Sequence, residues 1–491
     1  MKILLSMMSC EPSSRYESAA NSPYAIGLGY ICSVLEKDGY VVKMLITSND
    51  DDELSQKKFF ETYDAISPNI VGFSVISSNR VSTFKAIEKI NILVDRPHIV
   101  IGGIHTSVMY EQILKKYPQV IAVIGEGELT VIELVKALES NLELDDIKGI
   151  AFNRNGQVIL TERRELIEDL DSIPFPNHEV FFDSSPTRTT GIIFSARGCP
   201  SRCSFCCLKI ISRSEYRKRD VNKVLEEIKF LKNKYPRLKY IKIQDDTFLL
   251  DNERVIALCK LIISAELAIT FGCIARVKPV SHEMFSWMEK AGFKMIEFGL
   301  ETGSEKLLEA THKNITRKDI INLVDILKPF KFSVHFLVMC GFPGENDSTI
   351  RESVSFIQSI QRAYYVRVIA VGKLEVFPGT EIYDVMKGHG SIDDEYWMTE
   401  KRVPYYTVDH DVYKLIEYEN FILDRTGIER IFSLNGFKHH FLKMPRSILR
   451  HLLNHKEFVP HVVSMPIKSF SPSIYSYIRK ILVALSIGDL E

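Results

Sequence analysis

The sequence lacks an excess of charge of either sign, which argues against binding to nucleic acid. Its 62 lysine and arginine residues balance 63 aspartate and glutamate residues, so the formal net charge is −1. Proteins that bind a duplex normally concentrate basic side chains on one surface. We therefore expect no nucleic-acid partner, and the substrate has to be inferred from individual sites.

The sequence also lacks an apolar run long enough to form a transmembrane segment. Its opening run, MKILLSMMSC, is short and leads directly into the polar stretch EPSSRYES. That pattern favours a first buried strand over a secretory signal. No internal repeat or low-complexity tract is present. These absences predict a soluble globular protein that is not exported, and the clustered cysteines predict a reducing cytoplasm as its location.

Apolar strand-like runs alternate with helical patterns over residues 1–145. This rhythm predicts a parallel, doubly wound α/β sheet, a Rossmann-like (flavodoxin-like) domain. A linker is expected over 146–187, where a hairpin signal at Asn155-Gly156 precedes a proline-punctuated stretch.

The alternation resumes over residues 188–394, with strand candidates such as GIIFSA, YIKIQDD, ITFGCIA and MIEFGLE. Amphipathic helical segments separate these strands, which predicts a partial β/α (TIM-like) barrel. Over residues 395–491 the strand rhythm fades, and we expect a small helical C-terminal region.

Four of the nine cysteines lie in one short segment that has metal-binding character. Cys199, Cys203 and Cys206 form the spacing C-x-x-x-C-x-x-C directly after an apolar strand. Three thiolates on one tight loop bind three irons of a cubane and leave the fourth iron open to another molecule. A structural zinc loop is the alternative, although zinc usually takes four ligands. Cys207 is in principle a fourth thiolate.

The segment SARGCPSRCSFCC, with the aromatic Phe205 before the third cysteine, resembles the radical S-adenosylmethionine (radical SAM) superfamily. The resemblance covers roughly residues 188–385. It implies a 4Fe-4S cluster held by the three cysteines, with S-adenosylmethionine chelating the open iron. One electron, from an external flavodoxin- or ferredoxin-type donor, would then cleave the cofactor to a 5′-deoxyadenosyl radical. Phe205 is expected to contact S-adenosylmethionine.

The resemblance implies further S-adenosylmethionine contacts at the carboxyl ends of barrel strands. Gln244, Asp245 and Asp246 occupy the place where many relatives have a Gly-Gly-Glu stretch. Arg276 ends ITFGCIAR, and Glu301 lies in a segment that resembles the family's Gly-x-Glu-Ser-Gly strand. Two alternatives stay open: the aspartates cap a strand end or helix, and the arginine and glutamate form a structural ion pair.

The first domain resembles the cobalamin-binding domain that precedes many radical SAM enzymes. Ser74 after one strand, and Gly102-Gly103 after the next, match that fold's Ser-x-Leu and Gly-Gly signatures. Small residues there let the backbone approach a long nucleotide tail. A third strand-end turn, IGEGE, adds three expected cobalamin contacts, which are Gly125, Glu126 and Gly127.

The segment SPYAIGLGYICS aligns with the family's usual Asp-x-His-x-x-G stretch but has no histidine. Ser22, Tyr24 and Gly27 take its three fixed positions, so the resemblance implies a cobalt without a histidine ligand. Tyr24 and Gly27 are expected cobalamin contacts. The alternative is a plain flavodoxin-like domain without the cofactor, since isolated glycine turns are weak signals.

Together the two domains predict a cobalamin-dependent radical SAM methyltransferase. The expected acceptor is an unactivated carbon, or phosphorus, of a small metabolite or peptide. One alternative is a non-methylating enzyme of the same family that catalyses cyclisation, ring contraction or oxidation. Another, of a different class, is a cobalamin or redox sensor.

The C-terminal region combines basic and apolar residues, which leaves peripheral membrane contact as one interpretation. A solvated basic face packed on the barrel is the other. The basic residues are Lys438, Lys443, Arg446, Arg450, Lys456, Lys468, Arg479 and Lys480.

Overall fold

The computed structural model describes residues 1–11, 25–183, 187–364 and 366–426, and only the backbone within 366–370. No helix in these ranges is long and apolar enough to cross a membrane. The described chain folds into two α/β units followed by a short helical segment.

The first unit alternates strands and helices as expected. Its strands are β1 (Lys2–Met7), β2 (Val41–Ile46), β3 (Ile70–Ser74), β4 (His98–Gly102), β5 (Val120–Val123), β6 (Ile150–Arg154) and β7 (Gln157–Leu160). Its helices are α1 (Ile26–Lys37), α2 (Asp52–Ile66), α3 (Arg80–Asn91), α4 (Ile104–Lys116) and α5 (Glu128–Glu139). The strands form one sheet in the order β2-β1-β3-β4-β5-β6-β7.

The first five strands are parallel, and β1, β3, β4 and β5 are almost continuously apolar because helices cover both faces of the sheet. The strand order reverses between β1 and β3. In such sheets ligands bind beyond the carboxyl ends of the strands, at the point of reversal. The flavodoxin-like architecture is therefore confirmed, and it marks where a ligand binds.

The predicted linker needs a correction at its beginning. The hairpin β6–β7 lies within 146–187, yet β6 pairs antiparallel with β5 and extends the first sheet. The turn residues Asn155 and Gly156 have φ of 54° and 86°, the left-handed values of a tight two-residue hairpin. Pairing with β5 satisfies backbone groups that an edge strand would expose.

The second unit is the expected partial barrel. Its strands are β8 (Thr190–Ile193), β9 (Ala196–Arg197), β10 (Arg217–Lys218), β11 (Tyr240–Ile243), β12 (Thr270–Ala275), β13 (Phe293–Glu301), β14 (Ser333–Cys340) and β15 (Val366–Lys373). Six of them form a parallel sheet in the order β8-β11-β12-β13-β14-β15, and β9 and β10 form a separate antiparallel ribbon.

Helices connect the strands of this unit, and the longer ones are amphipathic. The helices are α6 (Glu179–Asp183), α7 (Lys209–Ser212), α8 (Val221–Lys234), α9 (Asn252–Ser264), α10 (His282–Lys290), α11 (Glu305–Ala310), α12 (Arg317–Leu327) and α13 (Asp347–Ala363). Side-chain caps fix where several begin: Asp220 accepts from two backbone amides of α8, and Thr316 forms a capping box with Asp319 in α12.

The C-terminal segment ties the barrel to the first unit. It contains α14 (Glu381–Gly388), a 3₁₀ helix (Asp394–Met398) and α15 (Val412–Thr426). Trp397 is fully buried, with the Arg80 guanidinium 5.1 Å from its ring centroid and an Arg80–Glu11 ion pair of 2.9 Å beside it. Helix α15 supports the expected helical character as far as Thr426. The basic residues beyond it lie outside the described residues.

Candidate active site

A cavity of about 470 Å³ lies where the two units meet. One wall is formed by the carboxyl ends of β1, β3, β4 and β5 and by α1 and α5 of the first unit. The opposite wall includes Phe194, Arg197, Gly198 and Asp246 of the barrel. Most of the lining is apolar. The cavity therefore extends from the strand ends of the flavodoxin-like sheet to the segment that leads into the cysteine loop.

The small residues expected to contact cobalamin gather around this cavity. Those that line it are Gly27, Ser74, Gly102, Gly103, Gly125, Glu126 and Gly127. They come from four separate segments, which are the first turn of α1, the end of β3, the β4–α4 turn and the β5–α5 turn. Tyr24 and Ser22 lie outside the described residues.

A side chain at these glycines would either fill open space or clash with the backbone. At Gly27 and Gly125 nothing lies within 4 Å of the position a Cβ would take, and Gly125 has a φ of 83°. At Gly103, φ is 102° and a Cβ would approach the Val75 carbonyl oxygen to 2.6 Å. Only glycine therefore fits at Gly103, whereas Gly27 and Gly125 border open space. This cradle fits the nucleotide tail of cobalamin.

Glu126 has protein partners as well as a place on the cavity wall. Its carboxylate accepts two hydrogen bonds from Arg217, each 2.8 Å long, one from Arg197 and one from the Ile167 amide. Burial by itself would raise the pKa of Glu126, but the two arginines hold it below its usual range. The sequence predicts that Glu126 contacts cobalamin, and in the structure its carboxylate oxygens are engaged in an ion cluster.

The cysteine loop follows β9 and turns tightly. The Cys206 amide donates to the Cys203 carbonyl at 3.1 Å, and Cys203 is buried whereas Cys199 and Cys206 are half-buried. Phe205 makes an edge contact with Phe342, with ring centroids 5.8 Å apart. Phe205 therefore packs the loop against the barrel, whether or not it also contacts a cofactor.

The thiols of this loop share one electrostatic environment. Burial raises the pKa of Cys206 to about 12, and the charges of Cys207, Cys203 and Cys199 add to that rise. A bound metal would offset this cost because it stabilises thiolates. Among the described residues, however, no three cysteine, histidine or acidic side chains stand in a metal-binding arrangement. The ligand assignment stays a prediction from the C-x-x-x-C-x-x-C spacing and its place after a barrel strand.

Arg276 and Glu301 both reach this region, but they do not form the direct ion pair considered from the sequence. Arg276 lies 3.9 Å from the Cys203 sulfur and also donates to the Lys313 carbonyl. The Lys313 ammonium forms an ion pair with the Glu301 carboxylate beside Gly299. A Cβ on Gly299 would come within 2.4 Å of both charged groups. The Lys313 charge is thus matched by Glu301, and the Arg276 guanidinium beside Cys203 is the cation that suits a cofactor with a carboxylate group.

Lys313 escaped the sequence analysis because nothing in HKNIT marks it as a site residue. We expect Lys313→Met to lower the free energy of unfolding by about 3–5 kcal/mol, because the buried Glu301 carboxylate loses its cation. Urea unfolding measures the loss. The control Lys328→Met breaks an exposed pair with Asp325 and should cost under about 1 kcal/mol. Adding Glu301→Gln to Lys313→Met should recover much of the loss, and no recovery would contradict this account.

Asp245 and Asp246 hold the backbone that leads into the cysteine loop. Asp245 is fully buried and accepts from the Ser195 amide at 2.6 Å, the Ser195 hydroxyl at 2.5 Å and the Ala196 amide at 3.1 Å. Burial raises its pKa to about 6, against the effect of these hydrogen bonds. Asp246 accepts from the Gly198 amide at 2.9 Å. The capping alternative therefore describes Asp245, which has both oxygens engaged.

Asp246 and Gln244 are placed differently from Asp245. Asp246 is exposed and lines the cavity. Gln244 continues β11, with its amide donating to the Ile193 carbonyl at 2.9 Å, and its side chain is half-buried. The sequence also missed Arg254, whose guanidinium donates to the Ser195 carbonyl at 2.7 Å and supports the same turn.

Comparison with known proteins agrees with both halves of this site. The family model for the radical SAM superfamily matches residues 193–357. The model for the B12 binding domain matches residues 16–135.

Individual proteins resemble the chain over most of its length. An uncharacterized methyltransferase of Pyrococcus horikoshii is 29% identical over 394 residues, covering 78% of this chain and 83% of that protein. The anaerobic magnesium-protoporphyrin IX monomethyl ester cyclase of Rubrivivax gelatinosus is 28% identical, covering 69% of this chain and 62% of the cyclase.

A solved structure shares the fold. The radical S-adenosylmethionine methyltransferase TsrM of Kitasatospora setae superposes with a TM-score of 0.65, at 20% identity, over 79% of this chain and 76% of that one. The predicted cofactors, a 4Fe-4S cluster, S-adenosylmethionine and cobalamin, are confirmed at the level of the two domains. The chain belongs to the radical SAM enzymes that carry a cobalamin-binding domain, a family that includes methyltransferases.

Proposed function

We propose that this enzyme transfers a methyl group from cobalamin to an unactivated carbon, or to phosphorus, of a small metabolite or peptide. The observation that carries the proposal is the shared cavity, whose wall includes the glycine turns of the first unit and the Arg197-Gly198 dipeptide that enters the cysteine loop. A methyl carrier and a radical source have to act on one substrate, and this placement brings their binding sites together.

In this proposal Cys199, Cys203 and Cys206 would bind three irons of the cluster, and Arg276 would attract the carboxylate of S-adenosylmethionine. When bound, the cluster and S-adenosylmethionine would supply the radical chemistry, and cobalamin would supply the methyl group. The apolar cavity lining keeps water away from both.

The remaining expected contacts have supporting roles. Gln244, Asp246 and Phe205 border the S-adenosylmethionine side, and Asp245 fixes the turn beneath it. Gly27, Ser74, Gly102, Gly103, Gly125 and Gly127 accommodate cobalamin.

A one-electron donor of flavodoxin or ferredoxin type and a cytoplasmic location complete the proposal. The nine free cysteines of the described residues support a reducing compartment.

The test is anaerobic reconstitution of the full chain with iron, sulfide and hydroxocobalamin, followed by reduction with dithionite in the presence of S-adenosylmethionine. We expect two products, 5′-deoxyadenosine from radical generation and S-adenosylhomocysteine from loss of the methyl group. Protein without hydroxocobalamin is the control, and it should form only the first. With a substrate, the product should gain one methylene, carrying label from the S-adenosylmethionine methyl group.

The relationship to the cyclase favours a second candidate, a non-methylating radical reaction such as cyclisation. If this chain catalysed such a reaction, it would form 5′-deoxyadenosine without S-adenosylhomocysteine. The same experiment therefore separates the two candidates, and S-adenosylhomocysteine absent from an active preparation would refute methyl transfer.

A further inference from the structure

Four charged side chains join the two units at the cavity wall, and we refer to Glu126, Glu128, Arg197 and Arg217 as the inter-unit charge cluster. Arg197 bridges the two carboxylates, at 3.0 Å from Glu126 and 2.7 Å from Glu128. Arg217 binds Glu126 through both of its terminal nitrogens. The carboxylates belong to the first unit and the guanidiniums to the barrel, so every one of these ion pairs crosses the boundary.

The cluster is buried, which makes its geometry stiff. Side-chain exposure is 7% for Glu126, 6% for Glu128, 9% for Arg217 and 18% for Arg197. Separating buried opposite charges leaves each one uncompensated, so the four groups move together or not at all. Arg197 also lies over the Tyr30 ring, 4.7 Å from its centroid, which fixes its guanidinium from the α1 side.

The chain between the inter-unit charge cluster and the first cysteine is one residue long and closely packed. Arg197 pairs with Arg217 across the β9–β10 ribbon, and only Gly198 separates it from Cys199. The Gly198 amide donates to Asp246, and a Cβ on Gly198 would lie 2.0 Å from the Glu215 carbonyl oxygen. A displacement of Arg197 is therefore transmitted to Cys199.

On the other side, the cluster is part of the cobalamin-binding surface. Glu126 lies between Gly125 and Gly127 in the turn that lines the cavity, and the Ser107 hydroxyl joins this turn to Gly103 by hydrogen bonds of 3.0 Å each. A molecule that fills the cavity contacts this turn, Tyr30 and Arg197, all of which line the cavity. The ligand-contacting turn and the cysteine loop thus share one rigid set of ion pairs.

We propose that the inter-unit charge cluster couples cobalamin binding to the conformation of the cysteine loop, with Arg197 as the positioning residue. The inference rests on the proposed cofactor sites and adds an energetic link between them. Because coupling is reciprocal, binding of the iron-sulfur cluster and binding of cobalamin affect each other equally. The factor by which the iron-sulfur cluster changes the affinity for cobalamin equals the factor by which cobalamin changes the affinity of the cysteine loop for the iron-sulfur cluster.

Two variants weaken the link in different ways. Arg197→Lys keeps the positive charge but loses the planar fork that spans two carboxylates. Glu128→Gln removes one charge while keeping the shape. The matched control is Glu133→Gln, on the same helix, where the carboxylate is 49% exposed and pairs with Arg164 outside the cluster.

The experiment measures the dissociation constant of hydroxocobalamin for the full chain, by equilibrium dialysis under anaerobic conditions, with and without the reconstituted iron-sulfur cluster. In wild type and in Glu133→Gln, the dissociation constants measured with and without the iron-sulfur cluster should differ by a factor of at least about 5. That factor is the low end of typical allosteric coupling. In Arg197→Lys and Glu128→Gln the ratio of these two constants should approach one. The electron paramagnetic resonance spectrum of the reduced cluster should shift on adding hydroxocobalamin in wild type and much less in these variants.

Each other result has a defined meaning. A wild-type ratio of one, or an unchanged ratio in both variants, would overturn the coupling while leaving the proposed function intact. If wild type binds no hydroxocobalamin in either state, the cobalamin site and the coupling both fail. Circular dichroism identifies a misfolded variant, and Glu128→Gln then decides if Arg197→Lys does not fold.

Discussion

Replacing Cys203 with alanine should reduce 5′-deoxyadenosine formation to the level of a protein-free control. Cys203 is the most buried of the three proposed ligands, and it lies beside Arg276 where S-adenosylmethionine is expected to bind. With two thiolates the loop cannot hold three irons of a cubane. Iron and sulfide content, together with 5′-deoxyadenosine measured by liquid chromatography, gives the result.

The adjacent Cys207 provides a matched control for this substitution. Cys207 is half-buried and lies on the same loop, so Cys207→Ala removes a neighbouring thiol that is not one of the three proposed ligands. Iron content and cleavage should both survive. If Cys207→Ala lost the cluster and Cys203→Ala kept it, the ligand set would have to be reassigned to include Cys207.

Replacing Gly198 with alanine should destabilise the segment that leads into the cysteine loop. At Gly198 φ is 87°, and the new Cβ would lie 2.0 Å from the Glu215 carbonyl oxygen. Left-handed backbone costs a non-glycine residue about 1–2 kcal/mol, and the overpacking adds about 1–3 kcal/mol. We expect a combined loss of about 2–5 kcal/mol in the free energy of unfolding, measured in urea, and loss of most of the bound iron.

Gly156 separates the two causes of that loss. Its φ of 86° nearly equals that of Gly198, but nothing lies within 4 Å of its Cβ position. Gly156→Ala should therefore show the backbone cost alone, about 1–2 kcal/mol, and keep its iron. Equal losses in the two variants would mean that the contact with Glu215 is relieved at no cost.

Much of the fold could be predicted because it depends on local pattern. The alternation of apolar strands and amphipathic helices predicts both parallel sheets, since a strand and its following helix are neighbours in the chain. The β6–β7 hairpin was predicted from Asn155-Gly156, but its membership of the first sheet was not. Pairing with β5 depends on which edge is open, and sequence spacing does not reveal that.

The site was predictable where its chemistry lies in a short segment. Glycine turns after strands predicted the cavity lining, because carboxyl ends of parallel strands meet at one edge of the sheet. The roles of Asp245 and Glu126 were harder to predict. Each has a carboxylate of the expected type, but distant partners occupy it: Ser195 lies 50 positions from Asp245, and Arg217 lies 91 positions from Glu126.

The sequence by itself determined the three-cysteine loop, the two α/β units and the cofactors, since each is encoded by residues that are close in the chain. Only the tertiary structure decided that Lys313 neutralises Glu301 and that Arg197 of the barrel pairs with Glu126 of the first unit. Ion pairs between distant segments depend on strand order and on how the units pack. Burial then fixes those pairs, because an unpaired charge in the interior is too costly to persist.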